Sequence, residues 1–498
     1  MKQKILLLFF SILLSSSYLQ AQKETYWWYF GYNAGMTFST LQTLTAASGT
    51  TVSGLPTRLN NSPIYTAEGC FSISDRDGNF LFASDGQTVY NRNLAVMANG
   101  TGLHGDPSST QSGIIVPRPG SNNEFYLIVS PVYSNRTSGL TYSLIDISAN
   151  GGDGAVSSTI KNRKIQLTGT GLTEANVIEN AAVVGHSDGV NYWLISRMHT
   201  KFVVWEITNT GFSDPQSYEA GYNASVHPIV NFAGAGEIRI SPKGDKVIHA
   251  DYMDGGGFLS YGDFDPSTGV ITNTGYVNTG IGRCYGAEFS PSGEYLFITS
   301  VDAGASNGLY VKKVSELHLL PYTRIDTNVA NVQQSFDGRI YGIAKDHTSL
   351  WVILNPDEGG TDIQRFDNFF IWPRRPHIGL PNFIASFFSV SDVETSPALP
   401  VCVNNSVSFT IRINAGTGPN KVAKVVWDFG DGSILEEDTD MTQATLTHTH
   451  TYTKARKYRL TITPYNSIGE VLTEKIKTME VPISRCVIPV NHNISLFY

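Results

Sequence analysis

Six stretches of this chain share one pattern of apolar and polar positions. "RISPKGDKVIHAD" (Arg239 to Asp251), "EFSPSGEYLFITS" (Glu288 to Ser300) and "QQSFDGRIYGIAK" (Gln333 to Lys345) each read Ser-x-x-Gly, then an alternation of apolar and other residues. Alternation at period two is the mark of a half-buried strand, and a Ser/Gly cluster before it marks a tight turn. Each stretch therefore predicts a hairpin. The turn serines, Ser241, Ser290 and Ser335, stand 49 and 45 residues apart. "SISDRDGNFLFAS" (Ser72 to Ser84) is the same unit with one more residue in the turn. "IIVPRPGSNNEFYLIVS" (Ile114 to Ser130) and "AAVVGHSDGVNYWLISRM" (Ala181 to Met198) are variants of it. A third strand such as "LTYSLIDI", "FVVWEIT" or "FLSYGDFD" follows the hairpins.

A period of roughly 40–50 residues with several short strands per repeat is the signature of a β-propeller. One such sheet cannot bury both faces alone, and its neighbours do so for it. A seventh unit can be assembled from the ends, by pairing "WWYFGYNAGMTF" (Trp27 to Phe38) with "LPNFIASFFSV" (Leu380 to Val390). Closing a ring in this way removes the open sheet edge. The expected fold is all-β: a seven-bladed propeller over residues 22–392, with six or eight blades also compatible with the period. A linker at 393–400 precedes "SVSFTIRI", "KVAKVVWDF", "TLTHTHTY", "KYRLTITPYN" and "EKIKTMEV", which read as strands of a small β-sandwich over 401–486. Residues 487–498 form a tail.

Composition sharpens this picture. The chain has 498 residues, of which 47 are Gly and only 16% are charged. Few charges with many turn formers and aromatics favour sheet over helix. The net charge of −8 and the absence of a basic stripe exclude nucleic acid as an expected partner. Lys2 and Lys4, the apolar stretch Ile5 to Leu14 and the small residue Ala21 form a secretory signal peptide over 1–21, which implies export. No later stretch is apolar for long enough to predict a transmembrane helix. Export permits disulfides, and Cys402 and Cys486 bracket the C-terminal segment and are expected to pair. Cys70 and Cys284 are expected as buried free thiols.

Several motifs could carry chemistry. Asp75, Asp77 and Asn79 have the spacing that opens a calcium loop. There is no Glu at the twelfth position, so an Asp-Gly hairpin turn is the expected structure. His448 and His450 share one face of a strand, but no third metal ligand is evident. No nucleophile elbow or Cys–His context of a protease appears. Glu68, Glu174, Glu179 and Glu288 could supply paired acids for glycosidic-bond chemistry, since propeller hydrolases gather carboxylates from separate blades. The loop "IWPRRPH" presents Trp372, Arg374 and Arg375, residue types favoured at contact surfaces.

"WDFGDGS" raises the same question in the C-terminal domain. Trp427, Phe429, Gly430, Asp431 and Gly432, followed by His450, Tyr452 and Tyr458, resemble the signature of the polycystic kidney disease (PKD) domain, an immunoglobulin-like sandwich. Trp427 and Phe429 alternate toward a core, and the Gly-Asp-Gly step turns the chain. On this reading the aspartates form the turn. The departure from the family is Arg456, where a turn Gly is usual. "WYFGYNAGMTF", "EGCFSISDRDGNFLFASDGQTVYNRN" and "MANGTGLHGDPSSTQSGIIVPRPGSNNEFYLIV" together resemble a family of exported Bacteroidota proteins with a seven-bladed propeller and PKD domains. Many of its members end in a gliding-motility or type IX secretion sorting domain, whereas "VIPVNHNISLFY" is too short for one. The resemblance implies a non-enzymatic binding protein without cofactor. It would be an accessory subunit of the outer-membrane secretion or gliding machinery, located in the periplasm. The alternative it leaves is a glycan-binding or polysaccharide-degrading protein of the cell surface. Acids at the propeller axis with aromatics around them favour that alternative; an acid-poor axis with an apolar loop patch favours assembly.

Overall fold

The computed structural model describes residues 23–221, 232–253, 256–301, 307–388, 394–396, 399–412, 422–441, 445–472 and 476–485. The signal-peptide segment, part of the linker and Cys486 lie outside them. The chain divides into two compact units, Ala21–Ser389 and one beginning at Val390. Both are all-β apart from short 3-10 turns among the described residues, and no helix there is long and apolar enough to cross a membrane.

In the first unit, seven antiparallel sheets of three to five strands follow one another among the described residues. They span 27–58, 71–90, 113–164, 182–219, 232–278, 284–326 and 331–366. Five of the six predicted hairpins form the first pair of strands of a sheet, and in the sixth, Arg239–Asp251, the strand Phe232–Ala235 precedes the pair. The turn works as its sequence requires. Gly244, Gly293 and Gly338 sit at φ of 74°, 77° and 75°, where a Cβ is strained. Their N–H groups close the turn on the carbonyls of Ser241, Ser290 and Ser335 at 2.8, 2.8 and 3.0 Å.

The apolar faces of the sheets pack in succession. Phe82 joins Leu127, Val183 joins Val203 and Ile128, and Ile195 joins Ile238. Ile248 joins Phe289, and Phe297 joins Val332. The last sheet then meets the first: Trp28 and Phe38 share a cluster with Tyr341, Leu350 and Phe370. The arrangement is propeller-like.

One expected strand is absent. Leu380–Val390 does not pair with Trp27–Phe38; within its described part it holds a 3-10 turn at Ala385–Phe388. Pro381 has no N–H to give to a ladder. The segment instead ties several sheets to one another. The Asn382 amide donates to the carbonyls of Gly113 and Ala181 at 3.1 and 2.8 Å and accepts from Arg239 at 3.2 Å. Ser386 accepts from the Gly185 N–H at 3.1 Å. The first and last sheets therefore meet by side-chain packing, and Asn382 and Ser386 bond to several of the other sheets.

Among its described residues the second unit has two sheets, Glu394–Ser396 with Ser406–Arg412 and Thr445–Thr451, and Val401–Cys402 with Lys477–Ser484, Lys457–Asn466, Val422–Asp428 and Glu436–Asp438. Trp427, Phe429, Tyr452 and Tyr458 fill the core between them. Gly430 and Gly432 adopt φ of 75° and 86°. A Cβ on Gly430 would stand 2.2 Å from the Arg459 carbonyl oxygen, so only glycine fits. Asp428 and Asp431 cap the turn through the N–H groups of Gly430 and Ser433 at 2.9 and 3.0 Å. Cys402 is disulfide-bonded, while Cys70 and Cys284 are free and buried.

The second Asp431 oxygen accepts from His450 Nε2 at 2.8 Å, and the imidazole stacks on Phe429 at 4.2 Å. Burial raises the Asp431 pKa, but the bonds from His450 and Ser433 outweigh it and hold it at about 2. A depressed carboxylate contributes stability above its ordinary value of 3.8, and this is lost as pH falls toward 2. Asp431→Asn should therefore weaken this unit at neutral pH and flatten its acid transition. Acid titrations of both chains followed by near-UV circular dichroism would show this; identical acid limbs would refute it.

Candidate functional site

The carboxylates of the first unit converge where the inner strands begin. In the repeat, the positions four and two residues before the turn serine point inward. They are Glu237 and Arg239, Gly286 and Glu288, and Asn331 and Gln333. Asn331 Nδ2 donates to Glu237 at 2.9 Å across the intervening sheet. A Cβ on Gly286 would lie 2.4 Å from the Asn331 amide oxygen, so glycine is required for that reach. Arg239 donates to Glu237 at 2.9 Å, and Gln333 to Glu288 at 2.8 Å. Glu288 is fully buried. Burial pushes its carboxyl up to about 7 although the Arg239 charge opposes the shift.

Glu68, Glu179 and Asp106 form the outer end of this group. The Tyr285 hydroxyl donates to Glu68 Oε2 at 2.6 Å, and the Ser108 hydroxyl to Glu68 Oε1 at 3.1 Å. Thr110 Oγ1 lies 3.0 Å from a Glu179 oxygen and 3.4 Å from a Glu68 oxygen. Glu179 also accepts from the backbone N–H groups of Thr110 and Tyr133 at 3.0 and 2.7 Å. Asp106 accepts from the Ser108 N–H at 2.9 Å. Burial drives the Glu68 carboxyl up to about 7. The Tyr285 bond opposes that shift and the Glu179 charge adds to it. Glu179 is also raised by burial, against its three bonds to Tyr133 and Thr110. Glu179 is buried, whereas Glu68 and Asp106 keep solvent contact. A carboxyl that holds its proton near neutrality and still reaches solvent can act as a general acid.

Aromatic residues surround the acids. Tyr285 meets Tyr252 at 6.2 Å. Three residues before Glu68, Tyr65 stacks on Tyr32 at 4.8 Å and is 64% exposed. Trp372 is 63% exposed, and the Arg375 guanidinium lies 4.1 Å from its ring and 4.7 Å from that of Tyr32. Arg375 also pairs with Asp346 at 2.7 Å. Arg374, expected beside it as a contact residue, is exposed.

Of the acids singled out in the sequence, Glu68, Glu179 and Glu288 come together. Glu174 does not: it is on the surface, paired with Lys164 at 2.8 Å. Glu237 and Asp106 were missed. The inward alternation of the repeat would have found Glu237; nothing in the sequence marks Asp106, whose place depends on a loop. Asp75, Asp77 and Asn79 form a turn, in which Asp75 Oδ1 accepts from the N–H groups of Asp77 and Asn79 at 2.9 and 2.8 Å. His448 sits between Glu436 and Asp438, with Trp427 Nε1 also donating to Asp438 at 2.8 Å. At the far ends of the fourth sheet, ligand atoms of His186, Asp188 and Glu206 lie within 4.8 Å of one another and could hold a divalent cation. The Asn191 amide bridges the two carboxylates there, at 2.9 and 3.0 Å.

Comparison with known proteins adds the following. Residues 392–476 match the PKD domain family. The PKD signature residues of the sequence therefore fall in a segment with that match. No curated protein matches the chain by sequence. Among solved structures, the extracellular domain of a protein described as a one-component system of B. thetaiotaomicron is 10% identical, with a TM-score of 0.36; the likeness covers 94% of this chain and 55% of that one. A protein described as a 6-phosphogluconolactonase of Bacteroides uniformis is 12% identical at a TM-score of 0.36, covering 77% and 100%. The periplasmic gluconolactonase of Pseudomonas aeruginosa is 11% identical at 0.36, covering 80% and 91%. This chain thus spans little more than half of the first of these. Such distant likenesses concern fold, and the secretion or gliding family is not among them. The expectation of a non-enzymatic chain is corrected here. The trio His186, Asp188 and Glu206, whose ligand atoms could hold a divalent cation, weighs against it, as does a partly exposed Glu68 whose carboxyl is raised by burial.

Proposed function

We propose that the first unit is a seven-bladed β-propeller that cleaves a saccharide at its axis, and that the PKD domain is an immunoglobulin-like spacer. The observation that carries this reading is Glu68: a partly accessible carboxyl held protonated to about pH 7, bonded to the buried Tyr285, linked to Asp106 through Ser108, and with the exposed Tyr65 three residues before it. An axis rich in acids and aromatics is what the saccharide reading of the sequence called for. Exposed aromatic faces give a sugar ring an apolar surface to stack on while its hydroxyls remain solvated. In the hydrolysis, Glu68 gives its proton to the leaving glycosidic oxygen as the C–O bond breaks. Asp106 takes the proton of the attacking water. Glu179 and Thr110 act by position: burial keeps Glu68 protonated and the Glu179 charge adds to it, and the Thr110 hydroxyl fixes the spacing of the two. Exported by its signal peptide, the protein would meet its substrate in the periplasm or at the cell surface.

The test is to incubate the full chain with a panel of neutral and acidic oligosaccharides and measure new reducing ends. Release from at least one member, abolished in the Glu68→Gln chain, is expected. Equal release by wild type and Glu68→Gln, or none from any saccharide, would remove the reading.

A further inference from the structure

The sandwich of the second unit has four sheet edges among the described residues, and three of them are blunt. Glu394–Ser396 and Glu436–Asp438 have three residues each and carry acids, and Val401–Cys402 has two. The fourth edge is Thr445–Thr451, seven residues long. It pairs with Ser406–Arg412 without a register shift, and it carries no Pro, Lys, Arg or acid. Natural sheets avoid such an edge, because its outer row of N–H and C=O groups is a template for another strand. Among the described residues no backbone hydrogen bond reaches that outer row. On one face of the strand Thr445, Thr447, Thr449 and Thr451 are exposed. The hydroxyls of Thr447, Thr449 and Thr451 meet those of Thr410, Ser408 and Ser406 at 2.8, 2.7 and 2.9 Å. On the other face Leu446 enters the core, His448 is held by Glu436 and Asp438, and His450 by Asp431. The chain between Asp431 and Glu436 therefore runs beside this strand. There it exposes Ile434 and Leu435, at 90% and 52%.

We propose that this edge takes a second copy of the chain, by antiparallel addition of Thr445–Thr451 to the same strand of its partner, with Ile434 and Leu435 of both copies covering the join. Two observations point to a copy as the occupant. The strand is its own complement: turned about His448, it sets Thr445 opposite the partner's Thr451 and Thr447 opposite the partner's Thr449. Hydroxyl then faces hydroxyl, as it already does against Ser406, Ser408 and Thr410, and such cross-strand pairs stabilise a sheet. The second observation is charge. Two chains of net charge −8 repel one another over most of their surfaces, but not along an uncharged strand whose neighbouring acids, Asp431, Glu436 and Asp438, are bonded to its own histidines. Strand addition supplies main-chain bonds, and a two-fold contact of one strand with itself closes at two copies. The apolar pair beside it gains by leaving water. This contact is independent of the saccharide reading.

The experiment is analytical ultracentrifugation of the full chain over a range of concentrations, with hydrogen exchange measured on the same samples. Two variants accompany it. Thr449→Lys puts a charge on the edge, and Ile434→Glu changes a residue so exposed that the fold does not depend on it. The expected result is a reversible monomer–dimer equilibrium in which the amides of residues 445–451 become protected as the dimer forms. Each variant should raise the dissociation constant about tenfold or more, with the near-UV circular dichroism of the chain unchanged. A monomer at every attainable concentration overturns the proposal. So does a dimer that neither variant weakens, or one that leaves exchange at residues 445–451 as it is in the monomer.

Discussion

Glu68→Gln should lower the rate of saccharide cleavage by about 10²–10⁴-fold with little change in KM, because the amide fills the same space but has no proton to give. The pH profile is the sharper reading. The wild-type rate should fall as pH rises through about 7, the value to which burial and then the Glu179 charge delay the ionisation of Glu68. Residual activity in the variant should lack that alkaline limb. The same shift carries a stability consequence of determined sign. A carboxyl raised from 4.5 to about 7 binds its proton more tightly in the folded chain than in the unfolded one. Its contribution is fully present below 4.5 and is lost as pH rises through 7. Glu68→Gln should therefore flatten the fall in melting temperature between those values and cost nothing at pH 8. A variant with wild-type rates, or with the alkaline limb unmoved, would show that Glu68 is a structural carboxyl.

Trp28→Ala should destabilise the first unit by about 3–5 kcal/mol, the usual cost of deleting a large buried aromatic. Trp28 is fully buried. Its ring meets Phe38 of its own sheet at 5.5 Å, Tyr341 of the last sheet at 6.0 Å and Phe383 of the segment that ties the sheets at 5.9 Å. Its Nε1 donates to the Thr25 carbonyl at 2.7 Å, and the variant leaves that oxygen without its partner. The substitution opens the contact between the first and last sheets. Calorimetry of the full chain should show the transition of the first unit shifted down and that of the PKD-containing unit unmoved. A parallel shift of both, or a loss below about 1 kcal/mol, would contradict closure through this residue.

The parts of the fold that were legible in the sequence are those set by local rules. The Ser-x-x-Gly turns and the alternating strands after them repeat because each hairpin solves the same local problem, a left-handed glycine and one buried face. All six were readable without knowing what lay next to them. The PKD turn was readable for the same reason: Gly430 is demanded by the Arg459 backbone, and Trp427 and Phe429 by strand alternation. Closure was misread because Leu380–Val390 has the apolar content of a strand. Whether it pairs as a strand or bonds to several sheets depends on contacts that no short window contains.

The site divides along the same line. The sequence determined that acids at fixed offsets from the turn serine face inward, since period two decides the side of a strand. It could not determine which acids meet, because Glu68, Asp106 and Glu179 come from separate connections between sheets and are joined through residues such as Ser108, Thr110 and Tyr285. Nor could it set their chemistry. A glutamate on paper titrates near 4.5; burial beside Glu179 is what moves Glu68 to about 7, and burial is a property of the assembled ring.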